Sequence, residues 1–224
     1  MTAPDALQAA VQRGLAYALE PRLAPHYERH LVEECHYRTH EILADELAAL
    51  VRPVGLFVDL GAGSGLVGKA LVARGLELDL VAVDISAPML ELIDGPAYVA
   101  KHVADGSAMP LGDASFDGAL AAGLLEHIVD PSALFREVAR VVKPGGVFLF
   151  SFAPNQDGQT QLFDAEQGLV SHDARRIERG LAAAGMRTDK EIDYTAYVNG
   201  SQGVALQRLV IARCAPTPAG SPLG

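Results

Sequence analysis

Two spacings of apolar residues divide this chain. Up to Val51 the apolar positions recur at helical intervals, and from Gly55 onward they fall into short unbroken runs separated by polar turns. Ala6–Leu19 is rich in Ala and Leu and reads as a helix broken by Pro21 and Pro25. His30–His40 is polar and aromatic. Glu41–Val51 then sets Ile42, Leu43, Glu46, Leu47 and Leu50 at helical spacing before Arg52-Pro53 stops it.

From Gly55 strands and helices alternate. Leu56–Leu60 reads as a buried strand, Leu66–Arg74 as a helix closed by Gly75 at C′, and Leu80–Val83 as a second strand ending in Asp84. A short helix over Pro88–Ile93, a third strand over Tyr98–Val103 and a fourth over Phe116–Ala121 follow. Asp130-Pro131 opens a helix, with Asp as N-cap and Pro in the first turn, and Pro144-Gly145-Gly146 ends it before an apolar strand at Val147–Phe152. Fully apolar strands in this order predict a parallel sheet covered on both faces. Pro154–Gly168 is polar and aperiodic and reads as a loop; Ser171–Ala184 returns to helix. Arg187–Val198 and Val204–Arg213, joined through Asn199–Gly203, read as an antiparallel hairpin.

Composition narrows the function classes. The chain has 224 residues, enough for one large domain, and is 50% hydrophobic with 21% charged residues, an ordinary globular balance. A net charge of −10 argues against a nucleic-acid surface, which needs clustered Lys and Arg. Cys35 and Cys214 stand far apart without a CxxC partner, so neither a disulfide framework nor a zinc site is expected. Met1–Gln12 lacks the basic start and long apolar core of a signal peptide, and no run reaches the ~18 apolar residues of a membrane span. The expectation is a soluble, cytoplasmic protein, monomer or homodimer, with no metal, no nucleic-acid partner and no membrane.

The candidate chemistry begins at Val58-Asp59-Leu60-Gly61-Ala62-Gly63-Ser64-Gly65, an apolar strand running into an acid and then three alternate glycines. Such a loop lets a ligand lie against bare backbone. A carboxylate there gains nothing from a phosphate but favours a cationic ligand. Acids close three consecutive strands: Asp59, Asp84 and Asp105. In an open parallel sheet these ends face the ligand crevice. Asp84 stands where a carboxylate accepts both hydrogens of a ribose diol, Asp105 can accept from an exocyclic amine, and the Gly106 N–H can donate to a ring nitrogen. Asp59 can hold the N–H groups of the glycine loop and favour an ammonium. The set describes a pocket for an adenosine with a cationic end.

These residues resemble the class I S-adenosylmethionine-dependent methyltransferases of the small-molecule type. The matching pieces are Val58–Gly65, Val83–Leu90, Ala104-Asp105-Gly106, Met109-Pro110-Leu111 with Ser115-Phe116-Asp117, Leu125-Glu126-His127-Ile128 and Val142–Gly146. The resemblance covers residues 55 to 152 well and reaches loosely to the C-terminal hairpin. It implies a Rossmann-like, doubly wound α/β fold: a seven-stranded sheet, mostly parallel, closing on an antiparallel hairpin, with helices on both faces. It further implies an N-terminal helical cap or lid over 1–53, a methyltransferase core over 54–215 and a flexible tail over 216–224. Gly61 and Gly63 would contact the methionine part of S-adenosylmethionine, Asp84 the ribose, Ile85 and Met89 the adenine faces, and Asp105 with Gly106 its edge. Ala122, where many members carry Asn or Asp, would offer only main chain. Tyr37-Arg38 resembles a Tyr-Arg-x-Pro element that precedes the core in some members, although Thr39-His40 replaces its ending. Arg38 there would pair with the cofactor carboxylate or lie on a helix surface, and Tyr37 would wall the pocket or pack.

Methyl transfer needs donor and nucleophile held in line and dry, and a base only for some acceptors. His127, just past the fourth strand, is the candidate for proton transfer. His172 is a second, beside a plain N-cap reading of Ser171-His172-Asp173. His36 and His40 share an i, i+4 spacing that can bind metal, but no third ligand is in view. The expected product is S-adenosylhomocysteine and the acceptor a small molecule. The alternatives are an NAD-dependent oxidoreductase, because Gly63–Gly68 fits GxGxxG with Asp84 as the ribose acid, a non-catalytic binder of the same cofactor, and an aminopropyl transferase, which the lack of an acid-rich motif after the fourth strand weakens.

Overall fold

The computed structural model describes residues 3–18, 20, 24–50, 55–164, 167–199 and 203–216. The stop at Arg52-Pro53, the apex of the last hairpin at 200–202 and the tail beyond 216 lie outside the described residues. Three helices come first: α1 (Ala3–Ala18), α2 (Ala24–Arg29), which runs into a π-helical turn at His30–Glu34, and α3 (Thr39–Ala49). The alternating part follows as β1 (Leu56–Leu60), α4 (Leu66–Ala73), β2 (Asp79–Asp84), α5 (Ala87–Glu91), β3 (Tyr98–Val103), β4 (Phe116–Ala121), a 3-10 turn (Leu125–His127), α6 (Ser132–Val141) and β5 (Val142–Phe152). The chain closes with β6 (Pro154–Asn155), β7 (Gln161–Asp164), β8 (Leu169–Asp173), α7 (Ala174–Ala183), β9 (Met186–Asn199) and β10 (Gly203–Cys214).

The main sheet has seven strands in the order β3-β2-β1-β4-β5-β10-β9. The first five pair in parallel, while β10 runs antiparallel to both β5 and β9. This is the doubly wound sheet with an antiparallel hairpin that the pattern predicted. The order reverses beside β1, so the carboxyl ends of β1 and β4 flank the crevice where such sheets bind ligands.

Apolar layers cover both faces. Phe135, Phe148 and Phe150 stack with Val138, Leu134 and Ile177 on one side. On the other, Leu43 and Leu47 of α3 pack with Phe57, Leu71, Leu149 and Leu209. α3 thus packs on one face of the sheet.

Three expectations need correction. β3 is not apolar on both faces. It is the sheet edge, so Val99 and Val103 stand exposed while Tyr98, Ala100 and His102 turn inward. Pro154–Gly168 is not a plain loop; much of it forms β6 and β7, which pair with β8 in a small second sheet ordered β6-β8-β7. α1 packs on that sheet, and a Cβ on Gly14 would stand 1.9 Å from the Gln167 carbonyl, so only glycine fits. Finally, helix starts shift. α7 begins after Asp173, whose carboxylate caps Arg176 N at 3.1 Å, because Ser171 and His172 are taken up by β8. α6 begins after Pro131, with Asp130 accepting from Ser132 N one residue earlier than an N-cap would sit.

Candidate active site

The glycine loop turns from β1 into α4 through three residues with positive φ, Gly61 at 64°, Gly63 at 54° and Gly65 at 85°. That backbone is open to glycine and strained for other residues. Gly61 N–H donates to Val83 O at 2.8 Å, and Gly63 N–H donates to Asp84 Oδ2 at 2.8 Å, so the loop is hung from the end of β2. Asp84 Oδ1 accepts from Ser86 N, also at 2.8 Å. Each oxygen thus carries one backbone donor and keeps lone-pair capacity for a ligand. Burial raises the Asp84 carboxyl above its ordinary range, and the backbone donors hold it down. Beside it Ile85 is 43% exposed, while Met89 is buried with its methyl end toward Gly63.

Asp59 plays a different part from the one expected. It does not hold the loop's N–H groups, which go to Val83 and Asp84. Its side chain is 1% exposed and points to the other side, where Oδ2 accepts from Tyr98 Oη at 2.5 Å. Tyr98 Oη in turn accepts from Gly68 N at 3.2 Å. Oδ1 has no partner among the described residues, and burial pushes the carboxyl up to about 7. Asp105, at the end of β3, is exposed and caps its own turn, Oδ1 accepting from Ser107 N and Oγ at 2.7 Å each. Gly106 lies within that turn, which the Ala108 N–H closes on Asp105 O at 3.0 Å.

Past β4, Ala122 is half-buried and Gly123, at φ 71°, donates its N–H to Ser151 Oγ at 2.9 Å. A Cβ on Gly123 would stand 2.6 Å from Tyr37 Oη, so Tyr37 reaches over the end of β4. Arg38, by contrast, is exposed and pairs with Glu41 at 3.4 Å. α2 lies over the loop: Glu28 accepts from Ser64 Oγ at 2.7 Å and pairs with Lys69 at 2.9 Å. Tyr27, next to it, has its hydroxyl pushed up to about 12 by burial and by the fields of Asp84 and Glu126.

The histidines differ in their surroundings. His127 has Nδ1 enclosed without a partner among the described residues, and burial lowers its pKa to about 4. His172 is buried, with Nε2 2.9 Å from Leu125 O and Nδ1 3.2 Å from Thr160 Oγ1. Nε2 donates to the carbonyl and Nδ1 accepts, so this side chain ties β8 to the 3-10 turn. His36 sits outside α3 at φ 52°, while His40 is buried and stacked on Tyr37 with ring centres 5.6 Å apart. They do not form an i, i+4 pair on one helix, and the described residues contain no group of three or more metal-ligating side chains.

The residue that spacing missed is Glu126. It is 3% exposed; Gln207 Nε2 donates to Oε1, and Oε2 has no partner among the described residues. Gln207 Oε1 accepts from Thr39 Oγ1 and Tyr194 Oη, both at 2.9 Å. Burial pushes Glu126 up to about 7. Its place inside Leu125-Glu126-His127 was visible in the sequence, but nothing local announces a partner on the final strand.

Parts of the chain are similar to known proteins. Residues 58–150 match a family model described as a methyltransferase domain. An uncharacterized methyltransferase of Mycobacterium sp. (strain JLS) is 34% identical over 129 residues, 51% of this chain and 50% of that protein. The chain thus aligns with about half the length of this curated relative. Among solved structures, the putative methyltransferase of Haloferax volcanii in complex with the Trm112 methyltransferase activator superposes with a TM-score of 0.65 at 18% identity, covering 88% of this chain and 97% of that one. Magnesium protoporphyrin IX methyltransferase from Synechocystis PCC 6803 superposes with a TM-score of 0.63 at 18% identity, covering 80% and 83%. No described helix is long and apolar enough to cross a membrane. The family match and the strand order together make residues 58–150 similar to a methyltransferase domain, on a sheet with the fold of solved methyltransferases.

Proposed function

We propose that this protein transfers a methyl group from S-adenosylmethionine to a small-molecule acceptor. The observation that carries the reading is the Gly63–Asp84 bond, which joins a glycine loop to an acid at the end of the second strand. The residues suit this cofactor. Gly61 and Gly63 expose backbone for the methionine part, Asp84 keeps acceptor capacity for the ribose diol, and Ile85 offers an exposed apolar side chain to the adenine, with Met89 behind it. Asp105 and Gly106 stand at the next strand end for the adenine edge, and the Ala122 main chain and Tyr37 close the far end. S-adenosylmethionine supplies an electrophilic methyl on a cationic sulfonium. The chain's own part is to bind, orient and exclude water, with the α2 segment acting as a lid over the loop. The magnesium protoporphyrin methyltransferase acts on a small molecule, as proposed here.

The NAD reading fits less well. The sheet closes on an antiparallel hairpin, where the dinucleotide fold continues in parallel. The test is to incubate the full chain with methyl-labelled S-adenosylmethionine and metabolite fractions. Label in a small-molecule product supports the reading. Cofactor binding without label in any fraction favours a non-catalytic binder.

A further inference from the structure

Glu126 is a buried carboxylate with half of its hydrogen-bonding capacity unspent. Oε1 is taken by Gln207, whose own oxygen is held by Thr39 and Tyr194. Among the described residues Oε2 is enclosed without a partner, and no Lys, Arg or His forms an ion pair with this side chain. A charge so placed costs several kcal/mol unless a cation or a strong donor meets it. The residues that share its field are tyrosines: the hydroxyls of Tyr27, Tyr37, Tyr194 and Tyr197 all feel the Glu126 charge. Tyr37 also reaches Gly123, two residues past β4, and Tyr27 also feels Asp84 at the cofactor loop. The carboxylate and its tyrosines therefore stand beside the proposed transfer point. A buried carboxylate with one oxygen unpartnered among the described residues, beside tyrosine hydroxyls, is a setting that recognises organic ammonium groups.

We infer that the methyl acceptor is an organic amine, seated with its ammonium against Glu126 Oε2 among Tyr27, Tyr37 and Tyr197. This rests on the methyl-transfer reading above. A neutral alcohol would supply Oε2 with one hydrogen bond but leave the buried charge in place, whereas an ammonium supplies both the bond and the compensating charge. The carboxylate also serves the chemistry. An N–H bond of the ammonium breaks with its electron pair left on nitrogen, and the proton passes to Oε2. The freed lone pair forms the new N–C bond as the C–S bond breaks onto sulfur, and the proton leaves Glu126 to solvent after the product departs. Glu126 thereby takes the proton-transfer role that spacing suggested for His127.

The test uses the full chain saturated with S-adenosylhomocysteine and reads tyrosine difference absorption, since the chain has six tyrosines and no tryptophan. The probes are alkylamines of primary, secondary and tertiary type, with the matching neutral alcohols and carboxylates. At least one amine is expected to bind about tenfold or more tighter than its alcohol. Glu126→Gln is expected to erase that preference, Glu126→Asp to restore part of it, and neither to change S-adenosylhomocysteine affinity by more than about threefold. Equal binding of amines and alcohols, or a preference that survives in Glu126→Gln, overturns the inference and leaves the methyl-transfer reading standing. A tenfold loss of S-adenosylhomocysteine affinity in Glu126→Gln would assign the carboxylate to the cofactor and overturn it as well. No binding of S-adenosylhomocysteine to the unaltered chain overturns both.

Discussion

Gln207, near the middle of β10, donates to one oxygen of Glu126 on the turn after β4 and leaves the other oxygen bare. The two residues are 81 positions apart, and the bond exists only because the last hairpin returns beside β5. His172 braces the same turn from the small sheet. The position of Glu126 is thus set from two sides by late parts of the chain.

The buried acids give stability an unusual pH dependence. Glu126 and Asp59 are each pushed up to about 7, above their unfolded values near 4. Such groups bind protons more readily when folded, so their contribution is full below about pH 4 and is lost as pH rises to about 7. The tyrosines facing Glu126 titrate far above this window, and His127, at about 4, lies at its lower edge. Asp45, Asp117 and Asp193, held low by Arg or Lys partners, act with the opposite sign. They are common to the unaltered chain and Glu126→Gln, so the difference between the two isolates Glu126. Urea unfolding from pH 4.5 to 7.5 should show Glu126→Gln gaining stability relative to the unaltered chain as pH rises. Parallel curves would contradict the buried charge.

Gly68 is fixed by its neighbour rather than by its backbone. A Cβ there would stand 2.3 Å from Tyr98 Cε2, and Tyr98 is the only described donor to Asp59. Gly68→Ala should cost about 3 kcal/mol in guanidinium unfolding, through displaced packing and a weakened buried hydrogen bond. A loss below about 0.5 kcal/mol would show that α4 shifts freely against β3.

Asp84 carries the cofactor reading most directly. Asp84→Asn keeps one acceptor oxygen and loses the charge, so S-adenosylhomocysteine affinity should fall about tenfold or more by calorimetry. Unchanged affinity would remove Asp84 from the ribose.

The lid is tested through Glu28. Its pairs with Ser64 and Lys69 lie near the surface, so Glu28→Ala should change stability by less than about 1 kcal/mol. Stopped-flow mixing with S-adenosylhomocysteine should show faster association and faster dissociation. Rates equal to those of the unaltered chain would mean that α2 does not gate the loop.

The sheet was legible because each strand from β1 to β5 is a local apolar run, and the glycine loop and its acids are contiguous motifs. Tyr98–Val103 was read with its correct ends but the wrong surroundings, since being an edge depends on strand order. The strands of the 154–168 segment are hard to read because they are short and pair with β8 through a few residues of mixed polarity, giving no periodicity. α3 was placed in the lid because its amphipathic pattern does not say which surface it covers. At the site, Asp84 stands where spacing put it. Asp59 turned away from the loop toward Tyr98, a partner 39 positions later. Glu126 is not singled out by its local sequence because its partner, Gln207, lies on the last strand.

The most direct measurement of the central claim is calorimetric titration of the full chain with S-adenosylhomocysteine. Saturable binding with one site per chain is expected, weakened in Asp84→Asn and retained in Glu126→Gln. Absence of binding at ligand concentrations up to about 1 mM would contradict the cofactor assignment and the methyl transfer built on it.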